Sequence, residues 1–236
     1  MAQPPVQHLG AAMPCPGGWL ILPARLGGNT LLADEPVVVA TLIEVLDFKP
    51  QFVAAAIQVP IGFPDEPGTF ARCDLEAKEL LGWPRGAALP ATPSREALAA
   101  PTLEQARALE PWLTTGDLRR FPALREAADT FEPYHQRRWY SAHHDLSYRV
   151  MNGDVALTSS PYLPEGIEER FALIARTMPG VEQVISAPPP EGAAREHVVQ
   201  VAGLLWTARR ALGRAITRLP IDPEWDARGL RHELVY

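Results

Sequence analysis

Val6-Gln7-His8-Leu9-Gly10-Ala11-Ala12-Met13 and Trp19-Leu20-Ile21-Leu22 are separated only by Pro14-Cys15-Pro16-Gly17-Gly18. Two prolines fix φ and two glycines permit positive φ, so the connection reads as a tight turn between consecutive strands, 6–13 and 19–25. Working outward, Gly27-Gly28-Asn29 is a second hairpin signal, and a short third strand follows at 30–34. Residues 37–48 carry Val38, Leu42, Val45 and Leu46 at helical spacing. Residues 52–59 are almost continuously apolar, as expected of a fourth strand buried on both faces, and Pro60 ends it. Three strands joined by turns, then a helix, then a buried strand predict an α/β sheet with a meander start.

The rest of the chain reads mostly as helix. Residues 70–82 form a helix closed by Gly82, and 84–101 form a Pro/Ala-rich loop. Thr102, with Gln105 three residues on, caps a helix running to Trp112. Residues 117–139 are expected to be helix-rich and broken near Pro122 and Pro133. Residues 147–151 read as a strand followed by an Asn152-Gly153 turn. A helix at 164–178 starts on Pro164 and precedes Gly180, and the strongest helix, 191–214, shows one stripe of Val198, Val201, Ala202, Leu205 and Ala208. With 236 residues and 47% hydrophobic content, a single domain over 1–236 is the simplest organisation.

The formal net charge is −6, and a nucleic-acid binder usually carries a basic surplus. The pairs Arg119-Arg120, Arg137-Arg138 and Arg209-Arg210 fit solvated helix faces. A small-molecule or protein partner therefore suits the chain better than a long nucleic acid. Cys15 and Cys73 form no disulfide framework and no metal-ligand spacing. No apolar run is long enough for a membrane helix, and Met1-Ala2-Gln3-Pro4-Pro5 does not open a secretory signal, so a cytoplasmic location is expected. Oligomeric state is not readable.

Several motifs, in order, resemble one family. Pro14-Cys15-Pro16-Gly17-Gly18-Trp19, Pro60-Ile61-Gly62-Phe63-Pro64-Asp65, Arg72-Cys73-Asp74 with Glu76-Ala77-Lys78, and Pro93-Ser94-Arg95 are followed by His143-His144-Asp145-Leu146-Ser147-Tyr148. Asn152-Gly153, Pro164-Glu165-Gly166 with Arg170, Trp206 through Arg210, and Asp226, Gly229, Leu230, Arg231, Glu233 and Tyr236 complete the series. Together they are similar to the domain of unknown function 429 family, whose members are described as predicted nucleases. The resemblance implies a ribonuclease H-like mixed sheet flanked by helices, with an additional helical and loop region. It also implies acidic residues where this chain has Met13, Gln58 and Gln200, a Glu near Ser141, and a paired lysine near Ser160-Pro161-Tyr162.

Those departures bear on chemistry. Phosphodiester hydrolysis on such a fold would use two cations about 3.5–4 Å apart, and carboxylates must offset their repulsion. Met13 offers a soft thioether, and Gln58 and Gln200 offer neutral carbonyls. Losing about three negative charges should weaken metal binding by several kcal/mol. No metal site or cofactor is expected on this reading, and a divalent cation enters only if the chain is a working hydrolase.

The remaining candidates each carry two readings. His143 and Asp145 are either proton-transfer groups or single-metal ligands, or they sit at a solvated loop-to-strand junction where adjacent histidines face opposite ways. Asp74 joins them as a candidate catalytic carboxylate, and Asp65 is either a pocket-mouth ligand contact or a turn cap. Arg72 and Lys78 either hold an anionic substrate or pair with Asp74 and Glu76. Ser94 and Arg95 are candidates for an anion-binding loop, although Ser94 has no identifiable base. The expected pocket lies at the C-terminal edge of the first and fourth strands, near Met13 and Gln58, roofed by Arg72, Asp74, Arg95 and Asp145. Three functions compete: a protein with a degenerate metal site acting in binding, assembly or a metal-independent role; a metal-dependent hydrolase rebuilt from Asp65, Asp74, His143 and Asp145; and a small-molecule enzyme needing no metal.

Overall fold

β1 (Gln7–Cys15) and β2 (Gly18–Gly27) run antiparallel with Cys15 paired to Gly18, the hairpin that the opening stretch predicts. Gly18 has φ of 125°, and a Cβ there would lie 2.3 Å from the Val39 carbonyl oxygen, so only glycine fits this turn. The computed structural model describes residues 6–236; the reading of Met1 to Pro5 lies outside them. β3 (Thr30–Ala33) continues the meander along β2. The helix expected over 37–48 divides in two. Val37-Val38-Val39 are β-branched and form β4 (Val37–Val39) on the other part of β2, and only α1 (Leu42–Leu46) is helical. Thr41 and Glu44 form a reciprocal capping box that sets where α1 begins.

β5 (Ala54–Ile57) pairs parallel to β1, giving the sheet order β3-β2-β1-β5-β6 once β6 (Trp139–Ser141) joins parallel to β5. An antiparallel meander continued by parallel strands is the mixed sheet of a ribonuclease H-like α/β fold. Between β5 and β6 lie α2 (Arg72–Leu81), α3 (Arg85–Ala88), α4 (Arg95–Ala99), α5 (Leu103–Leu109), α6 (Thr115–Leu118) and α7 (Phe121–Thr130). The stretch 84–101 is thus a loop interrupted by two short helices rather than continuous loop. Pro122 does not break α7. It occupies the first turn, where a missing N–H costs no intrahelical bond.

α8 (His144–Met151) corrects the strand expected at 147–151. α9 (Pro164–Thr177), α10 (Val181–Ser186) and α11 (Arg195–Leu212) follow, the last four residues shorter at its start than the pattern suggested. β7 (Arg218–Trp225) and β8 (Arg231–Val235) form a closing hairpin absent from the sequence reading; Pro220 and Pro223 mask its first strand. A parallel bridge from Val235 to Ala142 ties β8 to the sheet just beyond β6.

Strand alternation separates two cores. Leu9, Ala11, Met13, Ala54 and Ala56 pack against α8 to α11, while Ala12, Ala55 and Ile57 face α1, α4 and α7. The alanines of β5 let α11 lie close, and its Val198, Val201, Leu204 and Leu205 are fully buried. Each such side chain contributes about 1.5–3 kcal/mol against exposure. Among the described residues, no helix is long and apolar enough to cross a membrane.

Candidate functional site

The parallel strands β1, β5 and β6 end together. The Gln58 N–H donates to the Ala12 carbonyl, which continues the β1–β5 register and sets Met13 beside Gln58. Beyond β6, the Ala142 N–H donates to the Ile57 carbonyl, and His143 caps α8. Facing this edge are the start of α2, the stretch Leu89 to Thr92, Arg120 and the end of β8. They enclose a cleft with an internal volume of about 80 Å³, walled by Gln58, Ser141, His143, Asp74 and Arg120 and by apolar side chains that include Leu89 and Leu234.

Behind one wall, α8 builds a closed charge cluster. Asp145 Oδ2 accepts from Arg85 Nε at 2.9 Å and Nη2 at 2.7 Å, and its Oδ1 accepts from Arg170 Nη2 at 2.8 Å. Arg170 is fully buried and also donates to the Gly166 carbonyl at 2.9 Å. The helices α3, α8 and α9 are thereby joined through one carboxylate. Burial alone would oppose ionisation of Asp145, but the adjacent imidazoles and the two guanidinium groups outweigh it and hold the carboxyl well below the usual carboxylate range.

The two histidines do not lie on a strand with opposite facings. His143 is the N-cap and His144 the first residue of α8, and their rings stack at 4.4 Å. His144 Nδ1 lies 2.7 Å from Gln58 Oε1, which also accepts the His144 backbone N–H at 3.3 Å. A carbonyl oxygen can accept both, so Nδ1 carries the proton. His143 Nδ1 instead accepts the Asp145 N–H at 3.3 Å, which places the proton of its neutral ring on Nε2. Burial drives His143 down to about 4 and His144 further below its ordinary value, so both imidazoles are neutral at pH 7.

The opposite wall is less fully bonded. Asp74, in the first turn of α2, is 4% exposed. Its Oδ2 accepts the Thr92 N–H at 2.6 Å, and the Cys73 thiol lies 3.8 Å from Oδ1. Burial raises the Asp74 carboxyl, with the Thr92 side-chain and backbone hydrogen bonds and the charges of Lys78 and Arg120 acting against it. Burial and the neighbouring Asp74 carboxylate push the Cys73 thiol up, which excludes a ready thiolate. Arg120 Nη1 is buried without a hydrogen-bond partner among the described residues; its nearest carboxylate oxygen is Asp117 Oδ1 at 3.8 Å. Glu233 also lines the cleft, but both its oxygens are engaged, by Arg218 and Arg231.

The structure therefore brings His143, Asp74, Gln58 and Ser141 to one cleft and sets Asp145 behind it. Ser141 Oγ donates to the Val59 carbonyl at 2.8 Å. Arg72 is exposed and pairs with Glu76 at 3.5 Å, and Lys78 acts on Asp74 only through its charge. Arg95 forms an ion pair with Asp226 at 2.5 Å and stacks over Phe63, away from the cleft that it was expected to roof. Ser94 caps α4 by accepting the Ala97 N–H, and exposed Asp65 accepts the Ala227 N–H. Met13 is packed in the apolar core against the α11 side of the sheet. Gln200, on α11, is fully buried, and neither of its amide atoms has a protein partner among the described residues.

His143, His144 and Asp145 are a geometrically plausible metal cluster, with ligand atoms within 4.8 Å of one another. The electrostatics oppose it. Both carboxylate oxygens already face guanidinium groups, while His144, bonded to Gln58 through Nδ1, leaves Nε2 without a hydrogen bond among the described residues, 3.4 Å from Asp145 Oδ1. Of Met13, Gln58 and Gln200, only Gln58 lines the cleft. Sequence reasoning missed Arg85 altogether, treated Arg120 as a solvated face and gave Arg170 no site role. Arg85 lies 60 residues from Asp145, so no local spacing reveals that pair.

A family model described as "Protein of unknown function (DUF429)" matches residues 14–225, most of the chain. The chain belongs to that family. Comparison with curated proteins and with solved structures finds no match.

Proposed function

We propose that this member of the DUF429 family works through the cleft between His143 and Asp74 without a divalent cation, as a site for a small polar molecule. The single observation that carries the reading is the Asp145 cluster: two guanidinium groups neutralise the carboxylate from which a metal site would have to be built. Arginine cannot lose its proton at working pH, so this positive charge is permanent. A cation entering beside it would meet like charge in a poorly solvated wall. The cleft's volume of about 80 Å³ and the net charge of −6 both favour a small ligand over a nucleic-acid strand.

On this reading, Gln58 and Gln200 stand at positions where the family carries acids, and the cleft keeps a neutral imidazole, a carboxyl and a guanidinium as its polar equipment. Those groups suit binding, or proton transfer that needs no metal, better than in-line attack on a phosphodiester. Thermal denaturation with Mg²⁺, with Mn²⁺ and with chelator tests the proposal, since a cation bound to the native state must raise the melting temperature. The expected result is the same melting temperature in all three. A saturable rise with Mn²⁺ that disappears in His143→Ala would overturn it.

A further inference from the structure

Asp74 and Arg120 carry opposite charges, line the same cleft and form no ion pair with each other. Thr92 bonds Asp74 through its backbone N–H and its side chain, a thiol lies 3.8 Å from Oδ1, and no guanidinium or ammonium group pairs with this carboxylate; Arg120 Nη1 is buried without a hydrogen bond among the described residues. The volume of about 80 Å³ has room for several waters. Its polar groups divide by type. Asp74 accepts, whereas Arg120 and the Nε2–H of neutral His143 donate. Glu233 adds no free charge, because Arg218 and Arg231 hold its oxygens.

Resting on the metal-free reading above, we infer that the cleft binds a small zwitterion of amino-acid type, its carboxylate on Arg120 and His143 and its ammonium group on Asp74. A simple anion would satisfy the guanidinium but bring like charge to Asp74. A simple cation would do the reverse. A molecule holding both charges a few bonds apart completes both groups, and charge-assisted bonds are the strong ones. Leu89 and Leu234 make the remaining wall apolar.

The test uses calorimetric titration and thermal shift on the whole chain with glycine, alanine, acetate and methylammonium. Glycine and alanine are expected to bind at least about tenfold more tightly than acetate or methylammonium, which each carry one half of the contact. Arg120→Gln and Asp74→Asn should each abolish that advantage, with circular dichroism confirming their folding. The comparison among probes on the unaltered protein stands even if a variant fails to fold. Acetate binding as well as glycine, or no organic probe binding at all, overturns the inference and leaves the metal-free reading in place. Stabilisation by Mn²⁺ with no organic probe binding overturns both.

Discussion

Two buried carboxylates flank this cleft, and they are built differently. Asp145 has both oxygens filled by guanidinium donors from two other helices, whereas Asp74 has only the uncharged donors of Thr92, backbone and side chain, and a distant thiol. The first is 3% exposed and the second 4%, so burial does not separate them. What differs is how much hydrogen-bonding capacity remains. A saturated charge holds structure together and offers nothing to a ligand; a half-saturated one retains an acceptor. The titration follows the same line, with Asp145 held below the ordinary carboxylate range and burial raising Asp74 from its ordinary value.

The largest effect that could break this contrast is on stability. Asp145→Ala leaves Arg85 and Arg170 buried without a counter-charge and is expected to cost about 3–5 kcal/mol, read as a lowered midpoint in urea denaturation. A loss below about 1 kcal/mol would mean that the cluster does not hold α3, α8 and α9 together.

The pH dependence sharpens the comparison. His143 and His144 stay neutral in the folded chain, while in the unfolded chain they take protons below about pH 6.5. Stability is therefore complete above that pH and falls as the pH drops, by about 1.4 kcal/mol per pH unit for each group. His143 contributes down to its folded value of about 4. Asp145 adds a second loss in the same direction below its unfolded value of about 3.9. Asp74 works oppositely. Its folded form holds a proton more tightly, so its protonation favours the native state as the pH falls through its raised folded value toward its unfolded one. Denaturation midpoints from pH 7 to pH 4 should fall steeply. A flat profile would mean that the imidazoles are not held neutral.

A smaller effect is expected at Gly166, whose carbonyl accepts from Arg170. A Cβ there would lie 1.9 Å from the Ser160 carbonyl oxygen, so Gly166→Ala must push the start of α9 aside. The expected cost is about 1–3 kcal/mol in the same denaturation experiment. A neutral result would show that α9 can move without disturbing the Asp145 cluster.

The same contrast explains what the sequence revealed. The hairpin at Gly17-Gly18, the apolar β5 and the stripe on α11 are local patterns, and each became the element it suggested. Asp74 stood out in the sequence because it belongs to the Arg72-Cys73-Asp74 motif of the family, and the structure places it in the first turn of α2. The Asp145 cluster was not. Its partners come from 60 residues before and 25 after, and imidazole is an uncommon N-cap, so His143-His144 read as extended chain. Arg120 looked like one of a solvated pair, since its nearness to Asp74 depends on how α7 starts against α2 and not on spacing.

The smallest expected stability change sits at the other carboxylate. In Asp74→Asn the amide oxygen can still accept the Thr92 N–H, so the buried backbone donor keeps its partner. The substitution also removes a charge that burial disfavours, which offsets the lost attraction to Lys78 and Arg120. The two changes oppose each other, and the net shift should stay within about 1 kcal/mol. Urea denaturation at pH 7 measures it directly against the Asp145→Ala value. If Asp74→Asn proved as damaging as Asp145→Ala, the carboxylate lining the cleft would be a structural clamp like its neighbour, with no acceptor left for a ligand.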